Sequence, residues 1–599
     1  MGGICETAAE RPGLLGITRS IGGKRWVSRL QQDRVARALA QQLDLPEIVG
    51  RVMAGRGVDL TNAESYLSPS LRNDLPDPGI FRDMEAAAGR LARAIATGES
   101  IAVFGDYDVD GATSSALFSR FCKAAGTSPR IYIPDRTSEG YGPKPAALTT
   151  LRDEGHTLVV CVDCGTTAFE PLDYAAELGL DVVVVDHHVA EPRLPKTKAL
   201  VNPNRLDESG AYGQLAAVGV TFLLLIALNR QLRQDGFYGG QRPEPDLRHW
   251  LDLVALGTVC DVVPLTGLNR ALVARGLEVF ARRHNPGIAA LCDVAGVDTA
   301  PTPFHLGFML GPRINAGGRI GYSSMGAHLL ATDRPGEAAE LARELDRLNG
   351  ERKTIEADVL AQAEAQIAAE PPPQGLVFVV GANWHPGVIG IVASRLVERF
   401  NLPAFVVALD EDGMGKGSGR SVAGVDLGNA VIAARQAGVL LEGGGHAMAA
   451  GLTVASDQLA AARRFLTDRL TKALAESAYV PTLGIDGALQ PGAATVELVR
   501  TLECLGPYGM GNAEPRFAMP NLRIQRPQVV GGHHVRADLV GADGRRLKAI
   551  AFRCADAPLG EALFKADGVA MTVAGKLRID AWSGRDSVQL IVEDAAKAG

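Results

Sequence analysis

Three aspartates at alternate positions, Asp106, Asp108 and Asp110, follow an apolar run in the segment IAVFGDYDVDG at 101–111. Carboxylates this close repel one another unless a cation sits among them, and oxygen-rich sets of this kind favour hard divalent ions such as magnesium or manganese. For a lone DxD a solvated acidic loop is the simpler reading. Here two later apolar runs end in the same manner, at Asp163 in VVCVDCG and at Asp186-His187-His188 in VVVVDHH. A pair of divalent ions that activates water for in-line displacement at phosphorus needs a bridging carboxylate, further carboxylates on either side and often an imidazole. These stretches supply all of them. Aspartates with a histidine suit manganese somewhat better than magnesium, which prefers all-oxygen shells. His188, next to such ions, would be placed to donate a hydrogen bond to a phosphoryl oxygen.

The elements that must position these side chains alternate. Strands are predicted at 101–104, 130–133, 157–162 and 181–185, with helices at 113–125, 144–154 and 170–179 between them. Such alternation argues for an α/β fold with a mostly parallel sheet flanked by helices, in which ligands sit beyond the carboxyl ends of the strands. All the residues named so far fall there. A helical stretch follows, and Asp261 closes its apolar run HWLDLVALGTVC. The Ala- and Glu-rich segment 333–370 reads as one long helix, with a kink expected at Gly350, ending at Pro371-Pro372-Pro373. Beyond it a smaller α/β domain and then a run of β-like segments near 521–530, 535–540, 546–552, 569–579 and 586–593 predict a terminal barrel. The expected division is 1–98 (an extension, irregular to residue 25, then a small helical cap), 99–332 (the sheet domain), 333–373 (the connecting helix), 374–480 and 481–599.

Composition limits what this assembly serves. With 599 residues, 46% hydrophobic and 22% charged, and a net charge of −7, the chain reads as a multidomain globular protein without a global basic signature. Any nucleic-acid contact must be local. Apolar runs such as TFLLLIAL at 221–228 are too short to span a bilayer, and the first thirty residues lack a signal-peptide core, so a cytoplasmic enzyme with no membrane contact is expected. Eight cysteines without regular spacing do not make a disulfide framework. Cys161 and Cys164 have no second pair to complete a zinc site and read as packing residues.

GDYDVDG, VDCGT, DHH and the later GGGHAMAAG resemble the DHH phosphoesterases. IPDRTSEGYG at 133–142, GPRINAGGRIG at 311–321, NWHPGVIGIVASRL at 383–396, GKGSGRS at 415–421 and PYGMGNAEPRF at 507–517 extend the likeness to the single-strand-specific exonucleases of that group. The resemblance implies a DHH sheet domain joined by the long helix to a DHHA1-like domain, with an OB-like barrel at the end. It implies two divalent ions, manganese or magnesium: one held by Asp106, Asp108 and Asp163, the other by Asp110, Asp163, His187 and Asp261, with Asp163 bridging and Asp186 orienting its neighbours. Relatives that cleave pyrophosphate carry a histidine ligand where this chain has Phe104, which leaves Asp106 as the substitute, the pattern of the nuclease branch.

The activity implied is 5′→3′ degradation of single-stranded DNA to mononucleotides in recombination and repair. Arg136, Ser418 and Arg420 would bind the 5′ phosphate. Arg313, Asn315 and Arg319 would contact phosphates near the scissile bond, His446 would lie close to substrate, and Tyr141 is a candidate for stacking on a base. From residue types alone GKGSGRS, with Lys416, Ser418, Arg420 and Ser421, reads as a glycine-rich turn, either an ordinary hairpin or a phosphate cradle. Lys548, Arg578 and Arg585 are candidate backbone contacts on the barrel. A single-strand-binding protein and a helicase are the candidate protein partners, and the chain is expected to work as a monomer. A phosphodiesterase of short RNA or small nucleotides, or an inactive strand-binding scaffold, are the alternatives.

Overall fold

The computed structural model describes residues 12–136, 138–240, 242–477, 479–566, 569–580 and 586–597. They fall into two compact units. One comprises Thr61–Gly350 with Cys504–Glu514, the other Met1–Leu60, Glu351–Glu503 and Pro515–Gly599.

The first unit is built on five parallel strands: β1 (Ile101–Gly105), β2 (Arg130–Tyr132), β3 (Leu158–Val162), β4 (Asp181–Val185) and β5 (Ala199–Val201). They lie side by side in the order β2-β1-β3-β4-β5. β1 and β3 are buried throughout, which is why they read as unbroken apolar runs rather than alternating ones. The register matters most for function. Gly105 pairs with Val162, Val162 with Val185 and Val185 with Val201. The four strands therefore stop level, and the next residues, Asp106, Asp163, Asp186 and Asn202, form a row along the carboxyl edge. Strand order reverses between β1 and β3, the switch point at which open α/β sheets bind ligands.

Helix α1 (Val109–Ala124) begins four residues earlier than the sequence suggests, because Asp108 caps it: its carboxylate accepts from Asp110 N at 2.8 Å and Gly111 N at 3.1 Å. Asp110 is thereby carried on the first turn. Helices α2 (Ala217–Gln234) and α3 (Leu251–Cys260) pack on α1, and their fully buried Leu223, Leu224, Leu253 and Leu256 join the main core. Then come α4 (Gly311–Ile320) and α5 (Pro335–Ala368); α5 is one uninterrupted helix through Gly350. The segment Cys504–Glu514 clusters with this unit. Asn512 receives the Tyr66 hydroxyl at 2.9 Å, and Met510 O accepts from Leu265 N at 2.7 Å.

In the second unit β6 (Val377–Ala382), β7 (Ala404–Leu409), β8 (Met414–Arg420), β9 (Glu442–His446) and β10 (Ala449–Ala455) form a sheet ordered β9-β10-β8-β7-β6, with helix α6 (Pro386–Phe400) against it. GKGSGRS is therefore a strand and not a turn, paired on both sides. Its glycines alternate with polar residues because one face of the strand has no room. A Cβ on Gly417 would meet Leu452 at 2.6 Å and one on Gly419 would meet Phe405 at 2.4 Å.

The strand segments Phe517–Val530, His534–Val540, Arg546–Ala551, Ser587–Lys597 and Ala570–Asp580 close on themselves into a five-stranded barrel. Residues 12–28, expected to be irregular up to 25, instead pack in this unit. Arg25–Ser28 pairs in parallel with Thr482–Ile485, and the fully buried Trp26 donates its indole N–H to Asp594 Oδ2 at 2.9 Å. Among the described residues no helix is long and apolar enough to cross a membrane.

Candidate metal centre

The edge of the sheet, the first turn of α1 and the residue after α3 together bring five aspartates and a histidine close to one another. His187 Nε2 lies 3.4 Å from Asp163 Oδ1, 3.7 Å from Asp261 Oδ2 and 3.9 Å from Asp110 Oδ2. Candidate donor atoms of Asp110, His187 and Asp261 lie within 4.8 Å of one another, as do those of Asp106, Asp108 and Asp163, and those of Asp163, His187 and His188. Asp163 and His187 each belong to two of these sets. Asp163 also adopts the left-handed backbone conformation, φ 60°, uncommon outside glycine but best tolerated by Asn and Asp. Local strain of this kind persists where the surroundings over-determine it. Asp163 N donates to Val185 O at 3.0 Å, and Asp163 O accepts from the Tyr141 hydroxyl at 3.1 Å.

Buried oxygens on these carboxylates lack partners. Asp106 Oδ1, Asp163 Oδ1 and Asp261 Oδ2 accept no hydrogen bond, although burying an unpaired carboxylate is costly. Electrostatics carries the same message. Burial, then the charge of Asp108, pushes Asp106 up to about 8 and Asp110 up to about 7, even though Asp110 accepts Ala217 N at 2.6 Å and Val218 N at 2.9 Å from the start of α2. Burial, then Asp110 and Asp108, pushes Asp261 up to about 9. Asp163 is raised well above the usual carboxylate range by burial and by Asp110, Asp108 and Asp106. A divalent ion relieves both the missing partners and the mutual repulsion, so the donor set fits such ions.

Asp186 differs. Its oxygens accept Thr166 N at 3.0 Å, His187 N at 2.7 Å and His188 N at 3.2 Å, with His188 Nδ1 at 2.7 Å. Burial opposes ionisation, but the His188 and Thr166 hydrogen bonds win and hold its carboxyl below the usual range. Conversely burial lowers His188, yet the Asp186 bond and charge prevail and raise it. For His187 the balance falls the other way: burial and the neighbouring His188 lower it, outweighing the nearby carboxylates.

Asn202, Asn204 and Thr166 escaped the sequence reading. Asn202, fully buried, donates to Thr166 Oγ1 and to His188 O, both at 2.8 Å, and Asn204 donates to His187 O and to Gly213 O at 3.0 Å. The signal was available, since Asn202 ends an apolar strand just as Asp163 and Asp186 do. Groups that orient metal-binding imidazoles typically matter 10- to 100-fold in affinity. Asn202→Ala should therefore weaken manganese binding by roughly tenfold or more, measured by calorimetric titration. An unchanged isotherm would reduce it to a packing role.

The remaining candidates are placed as follows. The Arg136 guanidinium lies 5.3 Å from the Tyr107 ring centroid, near enough to the aspartate loop to oppose the raised pKa of Asp106. Tyr141 stands edge-on to His188, with centroids 5.7 Å apart, its hydroxyl donates to Asp163 O, and 43% of the residue's surface is exposed. Arg313 is engaged by Asp346 at 2.8 Å and Met309 O at 2.6 Å. Asn315 and Arg319 are half-buried on α4, whose Gly318 abuts Tyr107 O: an added Cβ would lie 3.0 Å away.

Ser418 and Arg420 belong to the second unit, where Arg420 donates to Ser418 Oγ at 3.2 Å. Gly390 of α6 leaves room for both; a Cβ there would meet Ser418 Oγ at 2.9 Å and the Arg420 guanidinium at 3.1 Å. Lys416 and Ser421 sit on and just after β8, exposed and buried respectively, and His446 is exposed at the end of β9. Lys548 and Arg578 are exposed on barrel strands; Arg585 lies outside the described residues.

A parallel sheet that gathers carboxylates able to hold metal ions and a DHH tripeptide along its carboxyl edge defines a phosphoesterase of the DHH class, and the model of the DHH family N-terminal domain matches residues 100–258. The DHHA1 domain model matches 373–472 and the RecJ OB domain model 485–594. The chain is 37% identical over 565 residues to the single-stranded-DNA-specific exonuclease RecJ of Escherichia coli, covering 92% of this chain and 96% of that one. It is 33% identical over 576 residues to the Bacillus subtilis enzyme of the same name, covering 96% and 71%. The crystal structure of RecJ in complex with Mn2+ from Thermus thermophilus superposes with a TM-score of 0.78 at 29% identity, covering 96% of this chain and 79% of that one. The chain belongs to the RecJ family.

Proposed function

We propose that this protein is a divalent-metal-dependent exonuclease that hydrolyses single-stranded DNA from the 5′ end to mononucleotides, in the cytoplasm and in the service of recombination and repair. The observation that carries the reading is the set of buried oxygens on Asp106, Asp163 and Asp261 that accept no hydrogen bond, gathered around His187. Asp106, Asp108 and Asp163 would hold one ion, and Asp110, Asp163, His187 and Asp261 the other. Bound in pairs, such ions acidify water and neutralise charge at phosphorus during in-line displacement.

The chain's own residues do the rest. Asp186 fixes the His188 ring through Nδ1 and favours the protonated imidazole, in which Nε2–H would be the donor for a phosphoryl oxygen. Asp110, locked by two backbone N–H groups, cannot swing away when a ligand arrives. Arg136 in the first unit, and Ser418 and Arg420 in the second, are the side chains that would contact the 5′ phosphate, and Gly390 leaves room beside the last two. Arg313, Asn315 and Arg319 contact the backbone near the scissile bond, Tyr141 steadies Asp163 and His188, and His446 lies near the strand. The intact set of six side chains speaks against an inactive scaffold, and the barrel and RecJ-type segments against a small-nucleotide substrate. A single-strand-binding protein and a helicase are the natural partners of a monomeric enzyme that consumes exposed single strands.

End mapping on labelled DNA and RNA strands tests the reading: manganese-dependent release of mononucleotides from the 5′ end of single-stranded DNA is expected, and binding without turnover would refute it. Arg420→Ala should reduce the preference for a 5′-phosphorylated over a 5′-hydroxyl strand by roughly 10- to 100-fold, the scale of a lost charge-assisted hydrogen bond. Equal preference in variant and parent would remove Arg420 from the terminus pocket.

A further inference from the structure

The motif PYGMGNAEPRF at 507–517 has no role in the chemistry proposed for this chain, yet its first eight residues belong to the sheet unit. Its tip is a tight hairpin. Gly509 N donates to Asn512 O at 2.9 Å and Asn512 N to Gly509 O at 3.2 Å, and Gly511 takes φ 71°, which glycine reaches without steric cost. Asn512, almost fully buried, fills the loop: its amide donates to Leu505 O at 3.0 Å and Pro507 O at 2.9 Å, and its Oδ1 accepts the Tyr66 hydroxyl. Arg270, on the helix Gly267–Phe280, donates from Nη1 to Leu505 O and from Nη2 to Tyr66 O, both at 2.8 Å, with its guanidinium 4.1 Å from the Tyr66 ring centroid. Buried polar networks satisfied in this way are rigid.

The loop grips the chain just after Asp261. Met510 O accepts Leu265 N at 2.7 Å, a Cβ on Gly509 would meet Leu265 Cδ1 at 2.7 Å, and one on Gly511 would meet Pro264 Cβ at 3.0 Å. The fully buried Asn269 fixes the same stretch, donating to Pro264 O at 3.0 Å and to Gln214 O at 2.6 Å. Between Asp261 and this grip stands Val262, at φ 62° and exposed. A β-branched residue rarely takes that conformation, and an exposed one gains little packing from it, so the chain held on either side imposes it. Asp261 depends on such holding. Two backbone N–H groups lock Asp110, whereas the buried Oδ2 of Asp261 accepts no hydrogen bond, and its aim follows from the backbone that carries it.

We propose that the loop Cys504–Glu514 is a clamp that sets Asp261 against His187 and so governs ion affinity at the donor set Asp110, Asp163, His187 and Asp261, with Asn512 and Arg270 as its positioning residues. The inference rests on the two-ion reading and deepens it. Asp110 and Asp163 are placed by the first turn of α1 and the end of β3, but Asp261 is held through a loop remote in sequence, Arg270 and Leu505 being 235 positions apart. The clamp therefore acts on one donor set. Asp106, Asp108 and Asp163 have no residue on the stretch it grips.

The test titrates the metal-stripped full-length protein with manganese by calorimetry, while electron paramagnetic resonance separates lone ions from exchange-coupled pairs. Asn512→Asp keeps the acceptor for Tyr66 and removes the donors to Leu505 and Pro507; Gly511→Ala presses a methyl group on Pro264. In either variant one ion should bind as in the parent and the other roughly tenfold or more weakly, the scale of a lost orienting group, with the coupled-pair spectrum appearing only at higher manganese. A loop that merely stabilised the fold would lower the melting temperature without splitting the two affinities. In an Asp261→Asn background, adding Asn512→Asp should cost no further ion affinity, as for two residues acting through one contact. Where Asn512→Asp fails to fold, Gly511→Ala and Tyr66→Phe, which removes a single hydroxyl, decide by the same split. Parent-like affinity for both ions, equal loss of both, or an undiminished loss in the Asp261→Asn background would overturn the clamp alone. A parent that never shows a coupled pair would overturn the two-ion reading and the clamp with it.

Discussion

Asp163→Asn should lower turnover by at least about 10³-fold, since a group that loses its place between two ions forfeits several kcal/mol of transition-state stabilisation at 1.36 kcal/mol per decade. The same change should leave the metal-free protein as stable as the parent or more so. Burial and four neighbouring carboxylates already push this carboxyl far up, so a neutral amide of the same shape removes repulsion. The choice of amide matters. At φ 60° Asn is tolerated, whereas Asp163→Ala adds a left-handed cost of about 1 kcal/mol, and the Ala variant should melt below the Asn variant in EDTA. Single-turnover assays with thermal melts in EDTA and in manganese separate the effects: the Asn variant should lose turnover and the manganese-induced rise in melting temperature together. Activity within tenfold of the parent would remove Asp163 from the bridging position.

Metal affinity should climb steeply with pH. Asp110, Asp106 and Asp261 are held up to about 7, 8 and 9 without metal, so at neutral pH a bound ion must displace protons. Each proton displaced contributes a tenfold change in apparent affinity per pH unit. Between pH 6 and pH 8 manganese should therefore bind at least ~100-fold more tightly. The stability of the metal-free fold runs the other way. A carboxyl whose folded pKa is raised stabilises the fold fully below its unfolded value and loses that contribution as pH rises through the folded value. The metal-free protein should thus melt progressively lower from about pH 4, the unfolded value, until the raised folded values of about 7 to 9 are passed, while the gap between metal-loaded and metal-free melting temperatures widens. Calorimetry in buffers of different ionisation enthalpy counts the protons directly; a pH-independent manganese affinity would mean that the carboxylates are ionised before metal arrives.

Much of this site was legible because its residues share one local signature, an apolar strand stopping at a polar residue. That signature located Asp106, Asp163, Asp186 and the DHH histidines, and alternation of strands and helices placed them on one edge of the sheet. The same rule would reach Asn202, which the sequence reading misses because a short strand ending in VNP reads as a turn and because its role depends on a carbonyl offered by His188. Other features had no local trace. The glycines of β8 were ambiguous because Gly usually marks turns, and only the bulk of Leu452 and Phe405 across the sheet explains them. Asp108 as a helix cap moves the start of α1 because capping depends on backbone geometry after β1, not on helical periodicity. The pairing of Arg25–Ser28 with Thr482–Ile485 spans more than 450 residues of sequence, and the membership of Cys504–Glu514 in the sheet unit is equally non-local.

The level stop of β1, β3, β4 and β5 has an engineering consequence. Lengthening the chain where it leaves these strands would slide one carboxylate out of the row, and a slip of one residue within a strand turns its whole side-chain pattern over. The opposite rim carries no such constraint: the chain enters β1, β3 and β4 just after Gly98, Gly155 and Gly179, each with positive φ and with open space where a Cβ would lie. Reporter tags or affinity handles grafted at those three entrances would leave the chelating row in place, whereas the exits after Gly105, Val162 and Val185 admit no added length.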